Sequence, residues 1–296
     1  MRKERESEAT PQEIVAAALN EQGYLLQHKI MDVLRSPAGD EKYRHDWRIE
    51  AAEVPVSLPN GEETKIDLVL RPSGVTGQRT WRIVTECKRS ARDYKRWVFF
   101  GGAPSSLGPS PDYYHIERAD FFGTWDHRGS PPMAHRVERC GALRECPIFD
   151  FGVEARMNRS GSEKRSSATT AIEDAFQQVM LGQAGLASRL RDAHELHFRL
   201  FPVVVTTAEL VSARFSNDHV SLEDGMIQAK DLALEPRQWL AVNARMNDLT
   251  CRATGVTVNR NTDLASDIAA WQVRTVFVVQ AVHMQHFLAW LEHAFS

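Results

Sequence analysis

The chain has 296 residues, of which 43% are hydrophobic and 25% charged, with a formal net charge of −3 and an isoelectric point near 6.4. That length suits one large globular domain or a domain with sizeable insertions. The acidic balance excludes a basic nucleic-acid coat, so any polyanion site must be local. Four cysteines, Cys87, Cys140, Cys146 and Cys251, do not make a disulfide framework. The charged N-terminus, MRKERESEATPQE, lacks the apolar core of a signal peptide, and no run approaches the roughly 18 apolar residues of a membrane helix. A cytoplasmic protein with no membrane partner is the expectation.

In chain order, residues 1–9 read as a disordered tail. Thr10-Pro11-Gln12-Glu13 is a helix start, with Thr10 as N-cap, Pro11 at the first helical position and Glu13 closing a capping box. The helix pauses at Gly23. A second helical run, YLLQHKIMDVLR, ends at Ser36-Pro37-Ala38-Gly39-Asp40. The period then changes. Residues 47–58 alternate as a strand, Pro59-Asn60-Gly61 signals a turn, and TKIDLVL (64–70) and TWRIVTECK (80–88) predict two more strands in an antiparallel meander.

Residues 101–112 form a Gly/Pro/Ser loop, and 113–155 read as irregular, an insertion packed on the core. The polar stretch SGSEKRSSATT precedes a helix, AIEDAFQQVMLGQAGLASRL, capped by Thr169 or Thr170. FPVVVTT (201–207) is a buried strand. ELVSARF and VSLED predict a hairpin about Asn217-Asp218, while 228–262 are poorly patterned. RTVFVVQ is a last strand, and a helix from about Val282 closes the chain. Helix, three strands, insertion, helix, strand predicts an α/β architecture with a mixed sheet.

Asp67 sits inside KIDLVL among apolar neighbours, where a carboxylate is costly to bury unless it is paired or holds a cation. Glu86 and Lys88 end the next strand. Residues i and i+2 share a strand face, so pairing of the two strands brings Asp67 beside Glu86. Two hard oxygen ligands suit Mg²⁺, which keeps several waters and shares its shell with phosphate. Such an ion polarises a phosphoryl oxygen and helps to generate hydroxide. A lysine can orient the water or neutralise developing charge. The plain alternative is an exposed Glu-x-Lys ion pair of under about 1 kcal/mol.

Isoleucine-aspartate, a gap and then Glu-Cys-Lys after an apolar strand resembles the PD-(D/E)XK nuclease superfamily, with its restriction-endonuclease-like αβββαβ core. The likeness covers residues 11–100 and 168–207. It implies a Mg²⁺-dependent endonuclease, with Mn²⁺ able to substitute. Asp67 and Glu86 would be metal ligands, the main-chain carbonyl of Cys87 a further ligand, and Lys88 the catalytic lysine. It implies one nuclease-like domain over 10–296, with 101–167 an insertion and 208–296 a C-terminal extension.

The usual proline before the aspartate is Ile66 here. Where members add a glutamate from the first helix, Gln27 stands, with Glu21 and Glu13 as earlier candidates. Some relatives carry a glutamine in the helix after the motif, and both Gln177 and Gln178 fit. The resemblance also suggests nucleic acid, DNA first, as the substrate, a homodimer or a partner protein, and a role in bacterial defence against phage. An inactive nuclease fold that binds nucleic acid or a partner protein is the competing class.

After Lys88, Arg89, Arg92, Lys95 and Arg96 form a basic cluster followed by Trp97, Phe99 and Phe100. A nucleic-acid backbone would run there, or the cluster is a solvated loop whose aromatics fill the core. Arg159, Lys164 and Arg165 are a weaker basic segment. Cys140 and Cys146 with His135 lack the fourth ligand of a structural zinc site. His194 and His197, and His283 and His286, are spaced for helix faces without a carboxylate partner. No Gly-x-Ser-x-Gly elbow, Walker loop or dinucleotide fingerprint occurs.

Overall fold

The computed structural model describes residues 10–21, 24–36, 45–58, 61–73, 80–90, 96–101, 113–121, 133–155, 171–193, 195, 197–246 and 273–295. Helices α1 (Pro11–Glu21) and α2 (Tyr24–Arg35) lead into strands β1 (Trp47–Ser57), β2 (Glu63–Pro72) and β3 (Thr80–Lys88). Then come β4 (Arg96–Phe100), β5 (Tyr113–Phe121), β6 (Met133–Gly141), β7 (Ile148–Phe149) and β8 (Phe151–Ala155). Helix α3 (Ala171–Asp192) precedes β9 (His197–Thr206), β10 (Glu209–Arg214), β11 (Ala233–Arg237), β12 (Trp239–Arg245) and β13 (Val273–Gln280), and helix α4 (Met284–Phe295) follows. The protein is mixed α/β, with a large mixed sheet flanked by helices.

That sheet runs β1-β2-β3-β9-β13-β12-β7, with β5 against β9 and β6 against β5. The first three strands are antiparallel neighbours, and β9 lies parallel to β3 from Thr80–Phe198 to Lys88–Thr206. The predicted capping box is present. Glu13 N–H donates to Thr10 Oγ1 at 3.3 Å, and Thr10 N–H donates to Glu13 Oε2 at 2.7 Å.

Two apolar cores sandwich the sheet. One gathers Ile66, Val69, Val84 and Val204 under Phe176, Val179 and Met180 of α3. The other joins Leu68, Leu70, Ile83, Cys87 and Val203 to Ile30 of α2 and Phe287, Leu288 and Leu291 of α4. Helix α3 lies close on the sheet because it carries glycine there: a Cβ at Gly182 would stand 2.9 Å from Ile66 Cγ1. A smaller sheet, β11-β10-β4-β8, joins the α3 side through Trp97, Phe99 and Leu210.

Strand β9 contains a proline although it is central. Its side away from β3 pairs with β5 through Leu200 and with β13 from Val203. Pro202 falls in the gap between those partners, where a missing N–H removes no ladder bond. At the far end of β3, buried Arg82 is held by Glu50 at 2.8 Å and Glu195 at 2.7 Å, tying β1 and β3 to the approach to β9.

Several expectations are corrected. The described residues of 113–155 are not irregular: they supply β5 to β8, which pair into both sheets. The antiparallel partner of β10 is β11, not VSLED, which lies in turns. Strands β11 and β12 occupy the stretch read as poorly patterned. Strand β11 is an exposed edge containing Pro236, and β12 is buried through most of its length, so neither alternates. His197 opens β9 and is not on a helix. The expected tail at 1–9, the caps Thr169 and Thr170, the basic residues Arg159, Lys164 and Arg165, and His194 and Cys251 lie outside the described residues. No described helix is long and apolar enough to cross a membrane.

Candidate functional site

The β2–β3 ladder pairs Leu70 with Ile83, Val69 with Val84 and Leu68 with Thr85, and its pairs end there. The same register carried one step further sets Asp67 across from Glu86. At that step side chains take over from the ladder. Cys87 N–H donates to Asp67 Oδ2 at 2.8 Å, and the Asp67 carbonyl accepts from Gln27 Nε2 of α2 at 2.9 Å. Buried backbone groups require partners, so the two bonds replace what the ladder no longer supplies.

On the other side, β3 continues against β9 to Lys88, whose carbonyl accepts from Thr207 N–H at 3.4 Å. Parallel pairing engages alternate residues, so Glu86 and Lys88 turn their backbone groups to β9. Cys87 turns its own toward Asp67 and the opening. Its side chain packs in the second core, as the alternation predicts.

The opening is a groove of about 460 Å³ lined by Asp67, Glu86, Lys88, Arg89, Gln178 and Gln27, with Tyr24 and Lys65 on its other bank. Lys88 Nζ lies 3.8 Å from Glu86 Oε1 and donates to Gln178 Oε1 of α3 at 2.9 Å. The neighbouring Gln177 instead donates to the Arg245 carbonyl at 3.2 Å. Of the two glutamines it is Gln178 that reaches the groove.

Electrostatics give the carboxylates their character. Burial first, then the charge of Asp67, raises the Glu86 pKa from 4.5 to about 7, against the opposing pull of Lys88. Burial also raises Asp67, although the Cys87 N–H and Lys65 oppose it. Burial, then the two carboxylates, pushes the Cys87 thiol well above its usual range, which favours the neutral thiol in the metal-free protein. Two carboxylates that resist ionising together favour a cation between them.

Could these residues hold Mg²⁺? Asp67, Glu86 and the Cys87 carbonyl make an all-oxygen set with room for water and phosphate oxygens, which fits that ion. Among the described residues no group of three or more His, Cys, Asp or Glu side chains is placed to hold a metal. A site here draws on two side chains and the backbone.

Of the expected basic track, Arg89 is exposed and lines the groove. Arg96 is turned to Glu209 Oε2 at 2.9 Å on the smaller sheet. Arg92 and Lys95 lie outside the described residues. Trp97 and Phe99 are buried in the core, and Phe100 stacks on Phe151, so these aromatics serve packing.

Three residues escaped the sequence reading. Glu53 on β1 falls between the pairs Ala52–Leu68 and Val54–Ile66, at the step that carries Asp67 on β2, and takes a left-handed backbone, φ 52°, uncommon for a side-chain-bearing residue. It bonds Lys65, two residues before Asp67 on β2. Burial raises the Glu53 pKa, but bonds from Lys65 and Gln27 outweigh it and hold it low. Tyr24 stands at the groove mouth, with Lys65 Nζ 5.5 Å from its ring centre. Counting outward from the Asn60-Gly61 turn would have found Glu53. Comparison with protein-family models, curated proteins and solved structures returns no match.

Proposed function

We propose that the protein is a Mg²⁺-dependent nuclease that hydrolyses phosphodiester bonds in nucleic acid, with DNA the first substrate to test. One observation carries the reading. Asp67 and Glu86 meet where the β2–β3 ladder ends, both with raised proton affinity, beside a lysine fixed by Gln178. Support also comes from the order of elements. A helix, three antiparallel strands, the crossover helix α3 and β9 parallel to β3 match what the PD-(D/E)XK resemblance implies.

In this reading Asp67, Glu86 and the Cys87 carbonyl hold the ion, and Mn²⁺ substitutes for it. When bound, the ion polarises a phosphoryl oxygen and lowers the proton affinity of a water. Lys88 Nζ orients the attacking water and offsets negative charge that grows on the phosphoryl oxygens. Gln178 holds that ammonium in place, and Arg89 contacts the neighbouring phosphate.

The test is cleavage of plasmid DNA, single-stranded DNA and RNA in Mg²⁺, Mn²⁺ or EDTA. The parent cuts only with metal, and Asp67→Ala and Lys88→Ala do not cut. Binding without metal-dependent cutting would assign the fold to a binding module instead.

A further inference from the structure

The groove has two unlike banks. Lys88, Arg89 and Gln178 form one, beside the carboxylates. The other is Tyr24 and Lys65, with Glu53 behind Lys65 as its ion-pair partner, and the proposed hydrolysis uses none of the three. We propose that Tyr24 and Lys65 form a nucleotide subsite that stacks an unpaired base and holds its phosphate, so that the substrate is single-stranded nucleic acid or a frayed end. This rests on the groove's being a nucleic-acid site.

The chemistry of the two side chains is complementary to a nucleotide. Tyr24 keeps 56% of its surface open on the lining of a polar groove, and among the described residues it belongs to neither apolar core. An aromatic so placed offers a flat face to a base, and stacking accepts every base because each has a π-face. In a paired duplex those faces are taken up by neighbouring base pairs, so the platform selects an unpaired base.

Lys65 supplies the cation. Its ammonium lies 5.5 Å from the Tyr24 ring centre and bonds Glu53. An ammonium has three donors, so one bond to Glu53 leaves capacity for phosphate oxygens. Glu53 reaches it from an unusual left-handed backbone, φ 52°. That conformation is unfavourable for a residue with a side chain and persists where the surroundings impose it. The carboxylate thus fixes the direction of Lys65. Lys65 precedes Asp67 by two positions on β2, about 7 Å along the strand. One nucleotide therefore spans from Lys65 to a phosphate at the carboxylates. The groove of about 460 Å³ has room for a nucleotide.

The test is equilibrium binding in Ca²⁺, by anisotropy, of labelled oligothymidylate or oligouridylate, whichever the parent binds more tightly. An abasic strand of equal length and a blunt duplex are measured beside it. Tyr24→Ala weakens binding of the base-bearing strand about tenfold and leaves the abasic strand unchanged. Tyr24→Phe binds as the parent does. Lys65→Ala weakens both strands. Equal binding by parent and Tyr24→Ala overturns the subsite, as does an equal loss on both strands. So does a parent that prefers the duplex or binds none of the probes. If the parent shows the expected pattern but does not cut in Mg²⁺, the subsite stands and the nuclease reading falls.

Discussion

Cys87 and Asp67 are joined across two strands by a single bond, the Cys87 N–H donating to Asp67 Oδ2 at 2.8 Å. One carboxylate oxygen therefore stands in for a strand partner while the group remains available to a cation. Asp67→Asn separates the two duties, because the amide oxygen still accepts the N–H but carries no charge. We expect the variant to fold and to lose the heat of Mn²⁺ binding in calorimetry. Cleavage falls at least about a hundredfold, since even outer partners of a metal ligand cost 10- to 100-fold. A variant that binds metal as the parent does would remove Asp67 from the site.

Glu86 makes the metal-free protein sensitive to pH. The folded chain holds its proton up to about pH 7, whereas the unfolded chain releases it near 4.5. Stability linked to this group is complete below the unfolded value and is lost as pH rises through the folded one. Glu86→Gln removes the loss. In EDTA at about pH 8 it is more stable than the parent, with a ceiling of roughly 3–4 kcal/mol, and the gap closes towards about pH 4.5. Mg²⁺ narrows the gap at high pH by stabilising the parent. A variant less stable than the parent at high pH contradicts this account.

The two adjacent glutamines of α3 give a paired control. Gln178 holds Lys88 at 2.9 Å, while Gln177 bonds the Arg245 carbonyl. Gln178→Ala lowers the rate of metal-dependent cleavage by about 10- to 100-fold, comparable to losing the partner that orients a metal ligand. The metal affinity of the variant is unchanged. Gln177→Ala cuts at the parental rate. Equal rates for the two variants would show that the Lys88–Gln178 bond has no role in positioning.

Cys87 tests the division between side chain and backbone. Its thiol is packed against the second core and strongly disfavours ionisation. Cys87→Ala costs roughly 1 kcal/mol of stability, as a small cavity does, and leaves metal-dependent cleavage within about twofold. Denaturant melts and initial rates measure the two effects separately. A large loss of activity without a loss of stability would mean that the sulfur itself acts.

The sequence displayed what depends on local chemistry. Thr10 and Glu13 spelled out their own cap, and TWRIVTECK bounded β3 at both ends. Glu86 and Lys88 shared a face because the strand period is two, and that face is the groove. Other features depended on partners distant in the chain. Gln178 and Gln177 are equivalent until the rotation of α3 on the sheet is known, and that rotation is set by contacts such as Gly182 against Ile66. Strand β11 gave no alternating pattern because it is exposed along nearly its whole length, and β12 none because its interior is buried on both faces. Tyr24 and Lys65 looked like ordinary surface residues, since only the return of α2 over β2 brings them to one groove.

The end of the β2–β3 ladder also sets an order of assembly. Asp67 and Glu86 are made early, on neighbouring strands, but past the ladder β2 holds the end of β3 only through the bond of Asp67 to Cys87 N–H, and Lys88 lies beyond it. That lysine pairs with Thr206, and its ammonium is held by Gln178. A chain leaving the ribosome N-terminus first therefore has its acidic pair long before it has a finished site. The groove is completed only when α3 and β9 have emerged and docked, which delays any activity it has until most of the protein has been synthesised.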